Sequence, residues 1–191
     1  FTWGPDGWLY GNHGVFNKSL VGKPGTPPIE RIRLYACVWR YHPVRHKFEV
    51  FARGGSNQWG IDFNDNGHLF ITHCRSFWGR GPTSFVVHGG HYWNQVNGNH
   101  APFVSRGSGG RRSRTGLQNF LLASAQYGHG SGGAGKPGTR AVYGGHSHVG
   151  TMIYLGDNWP VNYRGNVFTL NLHGRRINRD TLHRQGAGYV G

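Results

Sequence analysis

The stretch Trp3–Tyr10, WGPDGWLY, recurs at Phe63–Phe70 as FNDNGHLF. Each copy runs from an aromatic residue into a polar turn centred on Gly7 or Gly67, and returns through leucine and a second aromatic residue. Asp-Gly and Asn-Gly are favoured in tight hairpin turns because glycine adopts a positive φ without steric cost. The repetition therefore predicts two equivalent antiparallel hairpins.

A third copy of the pattern lies near the end of the chain. Arg164–Asn171 supplies its strand residues and Arg176–Leu182 the partner strand. A supersecondary unit that repeats at roughly 40 to 50 residues and is lengthened by loops is typical of β-propeller blades. Closed propellers have about 4 to 8 blades. We therefore expect an all-β chain that forms about three to four blades of a ring of about six, with the remaining blades outside this chain.

A long insertion separates the second and third copies. Residues 101–145 are rich in Gly, Ser and Arg and contain one apolar cluster, Leu117–Ala125. Segments of this composition are typical of functional surface loops. We expect an irregular excursion near one mouth of the ring, within a single partial domain that spans residues 1–191.

Composition supports the all-β class. The 191 residues include 34 Gly and 9 Pro with a 36% apolar fraction, which favours many short strands over helices. No run of 18 apolar residues predicts a membrane span. The first residue is Phe1, which we interpret as a processed protein or a piece of a longer one. Cys37 and Cys74 form either one disulfide or two free thiols, and no CxxCH motif predicts covalent haem.

The charge is strongly basic. Lys and Arg number 21 against 7 Asp and Glu, a formal net charge of +14. Such an excess favours polyanionic partners. The only dense run is Arg111–Arg114, and the other basic residues are scattered through predicted strands. This distribution disfavours sequence-specific nucleic-acid binding and favours attraction to an acidic or sulfated polysaccharide.

Two histidines flank Ser147. On an extended strand, residues i and i+2 point to the same face, so the His146 and His148 imidazoles are predicted to project together. Three interpretations stay open: a transition-metal site completed by other histidines, contact with a substrate or cofactor, or a structural pair bonded to backbone carbonyls.

Two further groups are candidates for ligand contacts. Alternation places Asn171, His173 and Arg175 on one strand face, where a guanidinium clamps a carboxylate, although an exposed basic strand edge explains the same pattern. Asn57 precedes the predicted strand Trp59–Phe63 and either contacts a quinone or sugar, or forms an ordinary turn.

Acidic residues offer few catalytic or metal-binding arrangements. Asp62–Asp65 and Asp157–Asn158 are either calcium ligands or turn caps. Seven acids leave little scope for the paired carboxylates of a glycosidase.

Several strings together resemble a known family. Trp3–Tyr10, Ser56–Phe63, Gly144–Pro160 (GGHSHVGTMIYLGDNWP) and Asn171–Asn178 resemble the membrane-bound-dehydrogenase-type propellers of planctomycetes and verrucomicrobia. Those proteins are similar to the glucose and sorbosone quinoprotein dehydrogenases. The likeness extends over most of the chain, from Phe1 to Gly191.

The resemblance implies a six-bladed propeller, secreted or periplasmic, often followed by helical repeats and a cytochrome domain. It implies hydride transfer from a small sugar or alcohol to a quinone such as PQQ, with calcium as a second cofactor. The family's general base would lie upstream of Phe1. His146 and His148 are the candidate catalytic residues of this chain, and Asn57, Asn171, His173 and Arg175 are the candidate cofactor-binding residues. The rival hypothesis is a non-catalytic propeller that binds acidic or sulfated polysaccharide or a partner protein.

Overall fold

A computed structural model describes residues 1–55, 57–74, 83–92, 147–172 and 175–191. Within these ranges the chain is all-β, as the composition predicts, with short antiparallel strands and the two 3-10 turns Pro28–Glu30 and Val161–Tyr163. The insertion predicted at 101–145 lies outside the described residues. None of the helical segments described is long and apolar enough to cross a membrane.

The first sheet comes from the N-terminal part of the chain. The N-terminal part of the chain contains six strands: β1 (Thr2–Trp3), β2 (Leu9–His13), β3 (Ser19–Val21), β4 (Ile32–Leu34), β5 (Cys37–His42) and β6 (Lys47–Arg53). Sheet 1 has the order β1-β2-β5-β6 with every neighbouring pair antiparallel. The strands β3 and β4 pair only with each other, as a hairpin inserted between β2 and β5.

Two further sheets follow the same meander. Sheet 2 consists of β7 (Gln58–Phe63), β8 (Leu69–His73) and β9 (Thr83–Val86). Sheet 3 consists of β10 (His148–Ile153), β11 (Val167–Asn171) and β12 (Arg176–Asp180), so the predicted third copy is a real strand pair. A final hairpin joins β13 (His183–Gln185) and β14 (Gly188–Val190).

The first hairpin of each sheet is built in the same way. Its turn glycine has a positive φ of 78° at Gly7, 72° at Gly67 and 77° at Gly165. The equivalent closing bonds run from Gly4 N to Trp8 O (2.8 Å), from Asn64 N to His68 O (3.0 Å) and from Tyr154 N to Asn166 O (3.1 Å). The predicted equivalence of the first two turns is confirmed, and the third turn shares their geometry.

Polar side chains close the first two turns. Asp6 Oδ1 accepts a hydrogen bond from Trp8 N at 3.3 Å, and Asn64 Oδ1 accepts one from His68 N at 2.8 Å. The aspartate and asparagine favoured in such turns therefore act here as local caps. In the third copy the turn is extended by an excursion that Trp159 stabilises by stacking on Tyr154, with ring centroids 4.3 Å apart.

Sheet 2 lies between the other two sheets. Towards sheet 1, Asn12 Nδ2 donates to Gly60 O at 3.1 Å. Towards sheet 3, Asp62 Oδ2 accepts from Ile153 N at 2.7 Å. The shared core includes Phe70, Ile71 and Val167, which are all 0% exposed. Burial of each such side chain contributes about 1.5–3 kcal/mol.

Candidate functional site

The sheets have two chemically different ends. The turn end carries the three glycine turns at Gly7, Gly67 and Gly165. The polar end is formed by the opposite ends of the same strands. Strand pairing assigns the following residues to the polar end: His13, Cys37, Arg53, Gln58, His73, Thr83, His148, Asn171 and Arg176. Asn57, Cys74, Ser147 and Arg175 adjoin them in the chain.

Backbone hydrogen bonds join the sheets at the polar end. Cys74 O accepts from Ser147 N at 2.7 Å and from His148 N at 3.2 Å, which ties sheet 2 to sheet 3. Cys74 N donates to Asn57 O at 3.0 Å within sheet 2. These bonds fix the polar ends of sheets 2 and 3 relative to each other.

Three of the four described residues other than glycine that have a left-handed backbone lie at this end, and the fourth, His46, lies in the β5–β6 turn. Asn57, Ser147 and Arg175 have φ values of 46°, 59° and 51°. Residues other than glycine rarely adopt this region, and each costs of order 1–3 kcal/mol when held there. Such residues cluster at functional sites. The observation marks the polar end as a candidate binding surface.

Asn57 has a defined structural task. Its side-chain Oδ1 accepts a hydrogen bond from Val15 N at 2.9 Å, across 42 residues of sequence. The asparagine therefore holds the loop after β2 against the start of β7. Contact with a cofactor, which the resemblance implies for Asn57, stays a prediction.

His148 and Asn171 are brought together by register. They are directly opposite each other on β10 and β11, and they are 0% and 1% exposed. The extended conformation expected at Ser147 is wrong, because β10 begins at His148 and Ser147 has a left-handed φ, whereas the joint projection of His146 and His148 stays a prediction. His146 lies outside the described residues.

Arg175 does not share a strand face with Asn171. The strand β11 ends at Asn171, and the chain turns before β12, with Arg175 N donating to Leu172 O at 3.3 Å. The predicted alternation fails because it assumed one continuous strand through this turn. Arg175 is exposed at the polar end, and His173 lies outside the described residues.

His73 is a buried histidine that no sequence pattern indicated as a site residue. It is 0% exposed, and its Nε2 lies 2.9 Å from Ser84 Oγ. Burial disfavours the charged imidazolium and lowers the pKa of His73 to about 3. The alternation Leu69-Phe-Ile-Thr-His73 resembled an ordinary strand, so sequence alone carried no signal for it.

This burial predicts a pH-dependent stability. The folded-state pKa of His73 lies below its unfolded value of about 6.5, so the unfolded chain binds more protons between these values. The stability that depends on neutral His73 is therefore fully present above pH 6.5, and it is lost as the pH falls towards 3. We expect His73 to account for a loss of about 2 kcal/mol between pH 7.5 and pH 5. Urea unfolding of the wild type and His73→Gln at both pH values measures this difference, and an equal loss in both proteins would contradict it.

The cysteines are both free thiols in the structure, which settles the alternative left open by the sequence. Cys37 is 2% exposed, and burial raises its pKa to about 12, whereas Cys74 is partly exposed. The thiolate is the reactive form. We expect a thiol reagent to label only Cys74 in the native protein at pH 8. Mass spectrometry should find no label in the Cys74→Ser variant. Fast labelling of Cys37 would contradict the burial of its thiol.

The candidate calcium ligands either accept hydrogen bonds from backbone N–H groups or lie in separate turns. Asp62 accepts from Phe63 N at 2.8 Å and from Ile153 N at 2.7 Å, and burial raises the pKa of Asp62. Asp65 lies in the second glycine turn, and Asp157 in the excursion of the third. Among the residues that the structure describes, no three His, Cys, Asp or Glu side chains group as metal ligands would.

Acidic residues are confined to the turn end. Asp6 and Asp65 lie in glycine turns, and Glu49 pairs with Arg40 near the first of them. Glu30 lines a cleft with Lys47, beside the β5–β6 turn. The remaining acids are Asp62 beside the second turn, and Asp157 and Asp180 beside the third. The seven carboxylates of the chain are thus all accounted for, and none belongs to the polar end.

Basic residues, in contrast, lie at both ends of the sheets, including the polar end. Arg53 and Arg175 are exposed there, and Arg176 is partly exposed. Cys74, Thr83, Tyr92 and Ser147 flank the intervals 75–82 and 93–146, and these flanking residues lie at the polar end. By sequence those intervals contain eight Lys or Arg and no Asp or Glu. The sequence shows that residues 66–156 contain no Asp or Glu.

Comparison with known proteins defines the family and leaves the activity open. No curated protein matches the chain. A family model matches residues 1–191, the whole length given. The chain therefore belongs to the family described as a domain of unknown function, DUF7133.

Proposed function

We propose that this chain is an arc of a β-propeller whose polar end binds an acidic or sulfated polysaccharide. The observation that carries the proposal is the confinement of acidic residues: every Asp and Glu side chain lies at the turn end, where basic residues accompany them, whereas the polar end has exposed arginines and no such carboxylate. An end without carboxylates keeps a positive potential, and such a surface attracts polyanions.

The propeller architecture is supported by repetition. Three antiparallel meanders begin with equivalent hairpins. The first strands of sheets 2 and 3, β7 and β10, pack together, and sheet 1 contacts β7 through its second strand, β2. In propellers the first strand of each blade lies nearest the central axis, so the contact between sheets 2 and 3 supports this arrangement. Ligands of such rings bind at a mouth, which corresponds here to one end of the strands.

The polar end offers chemistry suited to a charged sugar polymer. The guanidinium groups of Arg53 and Arg175 are able to bind sulfate or carboxylate groups with paired hydrogen bonds. Ser147 is partly exposed at the same end and offers a hydroxyl to sugar hydroxyl groups. Binding of this kind depends on salt, because exposed charges are screened within about 8 Å at 0.15 M ionic strength.

Quinone-dependent oxidation of a sugar or alcohol is supported less well by the described residues. His148 and Asn171 share the polar end but have almost no exposed surface, and Asn57 Oδ1 is bonded to Val15 N. Of the predicted contacts that are described, only Arg175 is exposed to receive a carboxylate of PQQ. The described residues do not form a cradle for this cofactor, and we derive no catalytic step through it.

Two titrations separate these functions. The chain should bind heparin or chondroitin sulfate, tightly at 50 mM NaCl and weakly at 500 mM, and should ignore neutral dextran of the same length. The second titration uses PQQ with calcium. The absorbance of PQQ reports binding of the cofactor, and dye-linked glucose oxidation reports turnover. Binding of PQQ with turnover, and no retention on the sulfated polymers at low salt, would overturn the proposal in favour of the dehydrogenase.

A further inference from the structure

Trp59 is the most exposed tryptophan among the described residues. Its exposed fraction is 63%, whereas Trp8 is 7% exposed and Trp159 is 44% exposed. An indole left in water gives up the free energy that burial would provide, and tryptophan is enriched where proteins bind partners. Trp59 is therefore a candidate contact residue.

A β-bulge presents this side chain. The cross-strand partners of Gln58 and Gly60 are adjacent residues of β8, so Trp59 between them is an extra residue of β7. Bulges re-aim a side chain and are common beside binding sites. Trp59 directly follows Gln58, which strand pairing assigns to the polar end. The bulge therefore presents the indole at the polar end.

The strand β7 leaves one edge open for this side chain. Sheet 1 contacts β7 through β2 and sheet 3 contacts it through β10, so neighbouring sheets lie on both sides of the strand. β8 pairs with one edge of β7, and no strand in the described ranges pairs with the other. In a propeller this inner edge lines the central channel, whose mouth binds ligands. Further blades of the same polypeptide would extend the ring and leave this edge on the channel.

The backbone on either side of Trp59 is held in place. Before it, Asn57 Oδ1 accepts a hydrogen bond from Val15 N at 2.9 Å. After it, Gly60 O accepts one from Asn12 Nδ2 at 3.1 Å. An exposed side chain on a fixed backbone binds a ligand with little further loss of conformational entropy.

We propose that Trp59 is a stacking platform for one sugar ring of the polysaccharide that the polar end binds, an inference that rests on the proposed function. A pyranose ring carries its charged groups at the periphery and presents apolar C–H groups on its face, which packs on the flat indole. Arg53 and Arg175, exposed at the same end, bind the anionic groups. The platform adds recognition of the sugar ring itself to the attraction between charges.

Trp59→Ala tests the platform in calorimetric titrations with heparin oligosaccharides. We expect the Kd to rise about 10-fold, and by the same factor at 50 mM and 150 mM NaCl, because salt screens charges and not apolar contacts. Trp59→Phe keeps an aromatic face and should bind within about threefold of the wild type. Trp3→Ala is the matched control and should bind as the wild type does, because Trp3 is 60% exposed but adjoins the first glycine turn.

A polyanion without sugar rings separates stacking from charge. Poly(vinyl sulfate) carries its sulfate groups on an alkyl chain, so Trp59→Ala and the wild type should bind it equally. Because Trp59 is exposed, the melting temperature of the variant should match that of the wild type. Unchanged heparin affinity in Trp59→Ala, or an equal loss on poly(vinyl sulfate), would overturn the platform and leave polysaccharide binding in place. A wild type that does not bind heparin at 50 mM NaCl would overturn the proposed function, and the platform with it.

Discussion

Gly60→Ala is expected to destabilise the protein by about 3 kcal/mol, because Gly60 lies where sheets 2 and 3 meet. A Cβ atom on Gly60 would sit 2.5 Å from the backbone atoms Gly150 C and Thr151 N. Backbone cannot move aside as a side chain can, so the β7–β10 contact would have to open. Thermal unfolding should show a melting temperature lower by about 10 °C.

Gly89→Ala is the matched control for this substitution. Gly89 has a φ of 75° and no neighbouring atom within 4 Å of an added Cβ. The Gly89→Ala substitution therefore costs only the free energy of holding alanine in a left-handed backbone conformation, about 1–2 kcal/mol. If Gly60→Ala were no more destabilising than Gly89→Ala, the close packing of β7 against β10 would be contradicted.

Reversing two charges at the polar end is expected to weaken binding of sulfated polysaccharide about 100-fold at low salt. Arg53→Glu/Arg175→Glu removes two exposed guanidinium groups and introduces the first carboxylates at this end. Two lost charge-assisted hydrogen-bond contacts account for about 3 kcal/mol, which corresponds to this factor. Titration calorimetry with heparin oligosaccharides at 50 mM NaCl measures the change.

The control reverses the same amount of charge at the other end. Lys23 and Arg45 are exposed beside the cleft that contains Glu30, at the turn end. Lys23→Glu/Arg45→Glu has the same net charge as the polar-end variant, so long-range attraction falls equally. We expect this control to bind within about threefold of the wild type. Equal losses in both variants would mean that total charge, and not the polar end, determines binding.

The repeated hairpins were predictable because the information is local. Asp-Gly and Asn-Gly around Gly7 and Gly67 specify the turns without reference to the rest of the chain. The third turn was harder, because Gly165 N bonds to Tyr154 O across an excursion of ten residues. Its strand residues were still recognisable, since Val167, Phe168 and Thr169 are β-branched or aromatic residues of the kind that strands favour.

The arrangement of the candidate site was only partly predictable. The strands place Asn57, His148 and Asn171 at one end, but their burial depends on how sheets 2 and 3 pack, which sequence patterns do not encode. An extended strand was expected through Ser147 and Arg175, but both residues take a left-handed φ although neither is glycine. No local signal marks such positions, because tertiary contacts hold them there.

Backbone amide chemical shifts during titration with a sulfated oligosaccharide show directly which end of the sheets binds the polysaccharide. If the polar end binds it, the amides of Asn57, Ser147 and Arg175 should shift, while those of Gly7, Gly67 and Gly165 at the turn end should stay in place. The three glycines serve as an internal reference within the same molecule and the same titration. Shifts confined to the turn-end glycines, or no shifts at saturating oligosaccharide, would contradict the polar end as the binding surface.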